Sequence, residues 1–223
     1  MAQRTIHLAF GDYVAKHMAI TDKNRFLLGN ILPDAFSDRK YRENTHYKKF
    51  TDDQSRIYFD FRQFAREFST ELAQDDLYLG YYLHLIEDVY YRQFLHNGYD
   101  FWQQITTMED VNRLHQDYHL LNTYLVQAYG LEDTVTLPVD FDKEPLHRIA
   151  PFDAPRFLRE LHGDYCETVQ GSTTLLTEDI LDRFFRETME PVLEEAKKAR
   201  AGDFSTNPLA FAWVPATANP LVS

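Results

Sequence analysis

Residues 81–92 read YYLHLIEDVYYR, and His84 and Asp88 within them stand four positions apart. On a helix that spacing puts both on one face, with Cβ atoms about 5–6 Å apart. An imidazole nitrogen and a carboxylate oxygen so placed can meet on one metal ion, each about 2.0–2.2 Å from it. Other segments carry residues of the same kind. GNILPDAF holds Asp34 behind Pro33 in an apolar stretch, where an unpaired carboxylate is costly. Thr45-His46 lies within a run of cations, Arg39, Lys40, Arg42, Lys48 and Lys49. RLHQDYHLLN holds His115 and His119, again four apart, and His7 stands alone near the start.

Each element also has a plainer reading. His84 and Asp88 suit a buried hydrogen bond or a solvated polar stripe. Asp34 suits a turn or a helix cap. The cations suit a solvated charge run; as a functional feature they make a mouth that attracts phosphate. His115 and His119 fit the edge of a helical core. Glu87 falls on a different face from His84, where solvent would satisfy it. Tyr81 and Tyr91 flank the motif at helical offsets, as hydrogen-bond partners of the ligands or as aromatic packing. His17, His96, His147 and His162 are isolated and read as ordinary histidines.

Composition narrows the chemistry. The chain has 223 residues, 44% of them hydrophobic, enough for one sizeable core. Its one cysteine, Cys166, excludes an intrachain disulfide and any Cys-rich zinc site, so a metal must be held by His, Asp and Glu. The formal net charge of -12 argues against a stable nucleic-acid complex but not against a small phosphate-ester substrate. No stretch of about 18 apolar residues predicts a membrane span. MAQRTIHLAFGDYVAKHM lacks the apolar region and small-residue cleavage site of a secretory signal, so a cytoplasmic protein is expected.

The elements that must position these residues are helical almost throughout. A first helix is expected from Thr5, as its cap, to Met18. Residues 20–53 read as a long irregular stretch of the kind that carries function. A second helix is expected over 54–73 on the stripe Ile57, Phe61, Phe64 and Phe68. A third starts at Asp75 or Asp76 and stops at Asn97-Gly98. The fourth opens on the Thr107–Asp110 capping pattern, runs on Val111, Leu114, Tyr118, Leu121 and Leu125, and ends at Gly130. Residues 131–152 look irregular, with a short extended piece at Thr134–Leu137. A fifth helix begins at Asp153-Ala-Pro155. The sixth spans Thr177–Ala201, kinked before Pro191. The fold expected is all-α, a single-domain irregular bundle over residues 1–202, with an irregular tail over 203–223 that is loose or held through Phe211 and Trp213.

Taken together, His7, GNILPDA with Asp34, Thr45-His46, LHLIEDVYYR and His115-x-x-x-His119 resemble, in this order, the zinc-dependent phospholipase C family, over residues 5–130. That family and the related single-strand-specific zinc nucleases are all-helical and hydrolyse phosphate esters with metal ions in a cleft. The resemblance implies a zinc centre of one to three ions, with Mn, Fe or Ni also compatible with such ligands. It assigns Asp34, His46, His84 and Asp88 to one ion. Asp88 would bridge to a second ion held by His7, and His115 and His119 would correspond to the last pair, a His-x-x-x-Glu in the family. Asp34 and Asp88 become the catalytic carboxylates, Asp34 orienting or deprotonating the attacking water. Arg39, Arg42, Lys48 and Arg92 become the cations that neutralise substrate. Where the family has a further His six residues after the bridging Asp, this chain has Phe94, with His96 nearby. The expected function is a metal-dependent phosphoesterase acting on a phosphodiester or phosphomonoester. A zinc-dependent nuclease and a non-catalytic helical protein, with a structural metal or none, are the alternatives.

Overall fold

A computed structural model describes residues 2–99, 101, 104–166 and 169–214, without the side chains of 96–99. The described residues form nine α-helices and one small hairpin. The centre is α6 (Asp76–Tyr99), in which every residue from Asp76 to Val89 is buried. A helix that is apolar all round has no solvent face and must be surrounded. Around it pack α1 (Arg4–His17), α2 (Lys23–Ile31), α4 (Phe61–Glu67), α5 (Ser69–Gln74) and α9 (Glu178–Arg200). α7 (Met108–Tyr129) and α8 (Ala154–Cys166) pack on each other, and α7 packs against α1.

The closest approach is between α2 and α6. A Cβ on Gly29 would lie 1.9 Å from the Leu77 carbonyl oxygen, and one on Gly80 would lie 2.1 Å from that of Phe26. Both positions accept only glycine, because the two backbones touch there.

The polar helix ends follow their sequence signals. Thr107 and Asp110 form a reciprocal capping box, and Gly130 ends α7 in the left-handed region at φ 62. Asp153 accepts from the Arg156 backbone N–H at 3.2 Å, and Thr177 caps α9, which continues as helix through Pro191.

Four expectations are corrected. Residues 20–53 are not irregular: Asp22 caps α2, a 3₁₀ turn spans Leu32–Asp34, and α3 covers Arg42–Thr45. Residues 54–73 are not one helix: Ile57 belongs to β2 (Ile57–Phe59), which pairs antiparallel with β1 (Lys48–Phe50), Asp60 caps α4, and the chain breaks again before α5. Thr5 is not a cap; it is buried inside α1 and donates to Asn122 Oδ1 at 2.6 Å, while Gln3 is the cap residue. Residues 134–137 form no strand, and the helical content of 131–152 is two 3₁₀ turns, Phe141–Lys143 and Pro145–Arg148.

The segment after α9 lies against the body as far as it is described. Trp213 exchanges both backbone hydrogen bonds with Ile57, at 2.8 and 2.9 Å, and Phe211 meets Phe61 and Tyr90 edge-on. Residues 215–223 of the expected tail lie outside the described residues. Among the described residues no helix is long and apolar enough to cross a membrane.

Candidate metal centre

Five of the candidate residues converge from four parts of the chain. α1 supplies His7, and α6 supplies His84 and Asp88. The turn closing α2 supplies Asp34, and the end of α3 supplies His46. Two overlapping groups, His7–Asp34–His84 and His46–His84–Asp88, each hold their ligand atoms within 4.8 Å of one another. His46 Nε2 is 3.1 Å from His84 Nε2 and 3.5 Å from both Asp34 Oδ1 and Asp88 Oδ2. His84 Nε2 lies 3.8 Å from Asp88 Oδ2, and His7 Nε2 lies 3.7 Å from Asp88 Oδ1. The His7 and His84 rings stack at 3.8 Å.

The outer nitrogens fix the direction of the inner ones. His84 Nδ1 sits 2.9 Å from the Asn30 carbonyl and His46 Nδ1 sits 2.9 Å from the Arg42 carbonyl. A carbonyl only accepts, so both Nδ1 atoms carry the proton and both Nε2 atoms offer a lone pair. Those two lone pairs face each other at 3.1 Å, a contact that two neutral imidazoles cannot turn into a hydrogen bond. His7 Nδ1 meets Glu87 Oε2 at 2.6 Å, and among the described residues its Nε2 has no hydrogen-bond partner; nor has Asp88 Oδ2. Buried polar atoms are seldom left without partners. A cation bound among these atoms would use every one of them, so the donor set fits a divalent metal held by imidazole nitrogens and carboxylate oxygens.

Residues outside the sequence candidates hold this arrangement. Glu87 is fully buried, not solvated as its helical position suggested, because α6 has no solvent face there. Its Oε1 accepts from Asn30 Nδ2 at 2.9 Å while its Oε2 holds His7. Asn30 therefore steadies two candidate ligands, His84 by its backbone and His7 through Glu87. The Ala2 backbone N–H donates to Asp88 Oδ1 at 2.8 Å. The Tyr81 hydroxyl donates to the Thr45 carbonyl at 2.7 Å, fixing the residue before His46. The sequence signal for Glu87 is the apolar residues on every side of it; for Asn30 and Ala2 there is none.

The remaining candidates lie elsewhere. His115 and His119 are exposed on α7 and belong to neither ligand group. The side chain of His96 lies outside the described residues. Arg39 is exposed, and Lys48 pairs with Glu43 at 2.7 Å. Arg42 and Arg92 are half-buried; the Arg92 guanidinium covers the Trp213 ring at 4.2 Å and feels both the attraction of Asp88 and the repulsion of Arg42. Asp34, with 16% of its side chain exposed, is the candidate ligand that solvent reaches best; the others of the five are 0–2% exposed.

Burial sets the charges. It pulls the His7 imidazole down to about 3, helped by His84, and lowers His84 too. Burial alone would raise Asp34, but the His46 imidazole 3.5 Å away and the neighbouring His84 hold it below the usual carboxylate range. On unfolding, both histidines return to about 6.5. Below that pH the unfolded chain binds protons that the folded chain refuses, so acid lowers stability. Glu87 opposes this, since burial raises it well above its ordinary value of about 4.3 and the folded chain then holds the extra proton. The two lowered histidines set the sign, so metal-free protein is expected to lose stability as the pH falls from about 6 to 4.5. Urea midpoints measured in chelator across that range check it, and a flat profile contradicts it.

Compared with protein-family models, with curated proteins and with solved structures, the chain matches none of them.

Proposed function

We infer that this chain is a metal-dependent phosphoesterase, acting on a phosphodiester or phosphomonoester at the His7–Asp34–His46–His84–Asp88 cluster. One observation carries the reading: the buried His46 and His84 imidazoles turn unprotonated Nε2 atoms toward Asp34 and Asp88, their outer nitrogens engaged by backbone carbonyls, and His7, engaged at Nδ1 by Glu87, faces Asp88 with its Nε2. The sequence resemblance to the zinc-dependent phospholipase C family points to the same residues and supplies the substrate class. When bound, a divalent ion of this kind polarises a phosphoryl oxygen and acidifies water.

The chain's own groups would do the rest. His7, His46, His84 and Asp88 hold the charge in place. Asp34 stands at the solvent side and is ionised at neutral pH, so its carboxylate accepts a hydrogen bond from the attacking water and orients it. Arg42 and Arg92 lie on the side of Asp88 and favour an anionic substrate; Arg39 and Lys48 add positive field from further out. A purely structural staple is disfavoured by the exposure of Asp34, since structural sites are closed on all sides. A nuclease is disfavoured by the net charge of -12.

The test uses protein purified without chelator and assayed on a chromogenic phosphodiester and the matching monoester, with zinc or manganese added and then removed by chelation. Metal-dependent turnover of either ester is expected. Bound metal with no turnover of a broad set of phosphate esters would leave the staple reading instead.

A further inference from the structure

We propose that Cys166 is a second reactive site: a nucleophilic thiol that forms a mixed disulfide with a low-molecular-weight disulfide, with His162 as its base and Asp133 as the group that orients the base. The site shares no residue with the metal cluster and does not depend on that reading.

His162 is isolated in sequence but not in space. It stands four positions before Cys166 on α8, so the two share a helix face. Its Nε2 is 3.5 Å from the Cys166 Sγ. Its Nδ1 is hydrogen-bonded to Asp133 Oδ2, which comes from the segment after α7. Gly130, left-handed at φ 62, ends α7 and turns the chain, so that Asp133 can meet α8. A carboxylate only accepts, so Nδ1 carries the proton and Nε2 turns its lone pair to the thiol. Nucleophile, base and orienting carboxylate thus stand in the order that activates a thiol, and all three residues are exposed to reagents. Cys166 closes α8, where the helix dipole opposes a thiolate, and the last turn of α8 carries no basic residue. Any gain in nucleophilicity therefore comes from His162.

There is also room for a partner. Tyr165, next to Cys166, and Glu132 and Thr134, on either side of Asp133, line a cavity of about 120 Å³ together with Leu8, Leu27 and Leu131. A cavity of that size takes about one small ring, which sets the size of the substituent on the disulfide.

The exchange balances. Nε2 takes the S–H proton, and the thiolate attacks one sulfur of the disulfide. The new S–S bond at Cys166 forms as the reagent's own S–S bond breaks, and His162 returns the proton to the departing thiolate. Cys166 is oxidised, and half of the reagent is reduced to a thiol. This sequence has no other cysteine to displace the new bond, so the mixed disulfide persists until an external thiol removes it.

The test follows the release of pyridinethione from dithiodipyridine, a neutral disulfide whose two halves are single rings, at neutral pH, with native protein and with protein in urea. An ordinary thiol is a few per cent thiolate there; converting the rest, less the nucleophilicity lost on the way, is worth about ten-fold in rate. His162→Gln is expected to react about ten-fold more slowly than the parent, with Asp133→Asn in between. In urea the parent and His162→Gln should react at one rate, because the triad exists only in the fold. The substituted side chains are exposed, so the variants should keep the fold, which circular dichroism checks. Equal native rates for the parent and His162→Gln, or a parent no faster when native than when unfolded, would overturn the site and leave Cys166 an ordinary surface thiol.

Discussion

Replacing His84 and Asp88 together by alanine is expected to abolish metal binding and to lower phosphoester turnover by about a thousand-fold or more, while the protein stays folded. The magnitude follows from what these residues are. Loss of a group that merely orients a ligand costs about 10–100-fold in affinity or activity. His84 belongs to both candidate groups, and Asp88 contributes an oxygen 3.5 Å from His46 and 3.8 Å from His84. The folded state should survive because the change removes burdens as well as partners. The Asn30 carbonyl and the Ala2 N–H each lose a hydrogen bond, worth about 1–3 kcal/mol if left unsatisfied. Against that, the unpaired Asp88 Oδ2 and the facing His46–His84 lone pairs disappear, and alanine is the best helix former for the interior of α6. A net loss of a few kcal/mol is below the total stability of about 5–15 kcal/mol typical of a domain. Circular dichroism, metal analysis and steady-state assay decide the matter. A folded variant that keeps its turnover places the chemistry elsewhere. An unfolded one makes the cluster a structural staple.

The long helices were legible in the sequence because their ends are local. Thr107, Gly130, Asp153 and Thr177 act through bonds to residues two to five positions away, and such bonds survive any tertiary context. α2 was not legible, and the reason lies in Gly29. Glycine before asparagine reads as a turn, but in this chain it serves a contact with Leu77, which is far away in sequence. The stripe Ile57, Phe61, Phe64 and Phe68 reads as one helix because all four are apolar at helical offsets, yet Ile57 is taken by a bridge to Trp213. The same division holds at the site. His84 and Asp88 were readable as a pair on one helix face. That His7, Asp34 and His46 would reach them rested on resemblance, since nothing in their spacing requires it. Glu87 was misread because helical periodicity assigns a face to solvent, and α6 has no such face around it.

Gly29→Ala should be the most damaging single change of one methyl group in this protein. The added Cβ would meet the Leu77 carbonyl oxygen at 1.9 Å and its carbonyl carbon at 2.8 Å. Ordinary contact begins near 3.4 Å, so the α2 and α6 backbones must separate locally by about 1.5 Å (3.4 minus 1.9). Side-chain repacking cannot absorb this, because the obstructing atoms are main chain. Overpacking a core costs about 1–3 kcal/mol when side chains can yield; here the cost should lie at or above the upper end. In a domain of this size about 3 kcal/mol corresponds to a fall in Tm of about 6–12 °C. The damage also reaches the chemistry. Asn30 follows Gly29 directly, and it holds His84 through its carbonyl and Glu87 through its side chain. Misplacing a catalytic array by about 1 Å can cost about a hundred-fold, so the folded fraction should also bind metal weakly and turn over slowly. Gly163→Ala is the control: that glycine lies in α8, and a Cβ there meets nothing within 4 Å. It should gain about 0.5–1 kcal/mol from helix propensity alone. A Gly29→Ala protein with unchanged Tm and metal affinity would mean that α2 and α6 do not touch at the backbone. The position of Asn30 beside His84, and with it the tautomer that turns His84 Nε2 inward, would then lose its support.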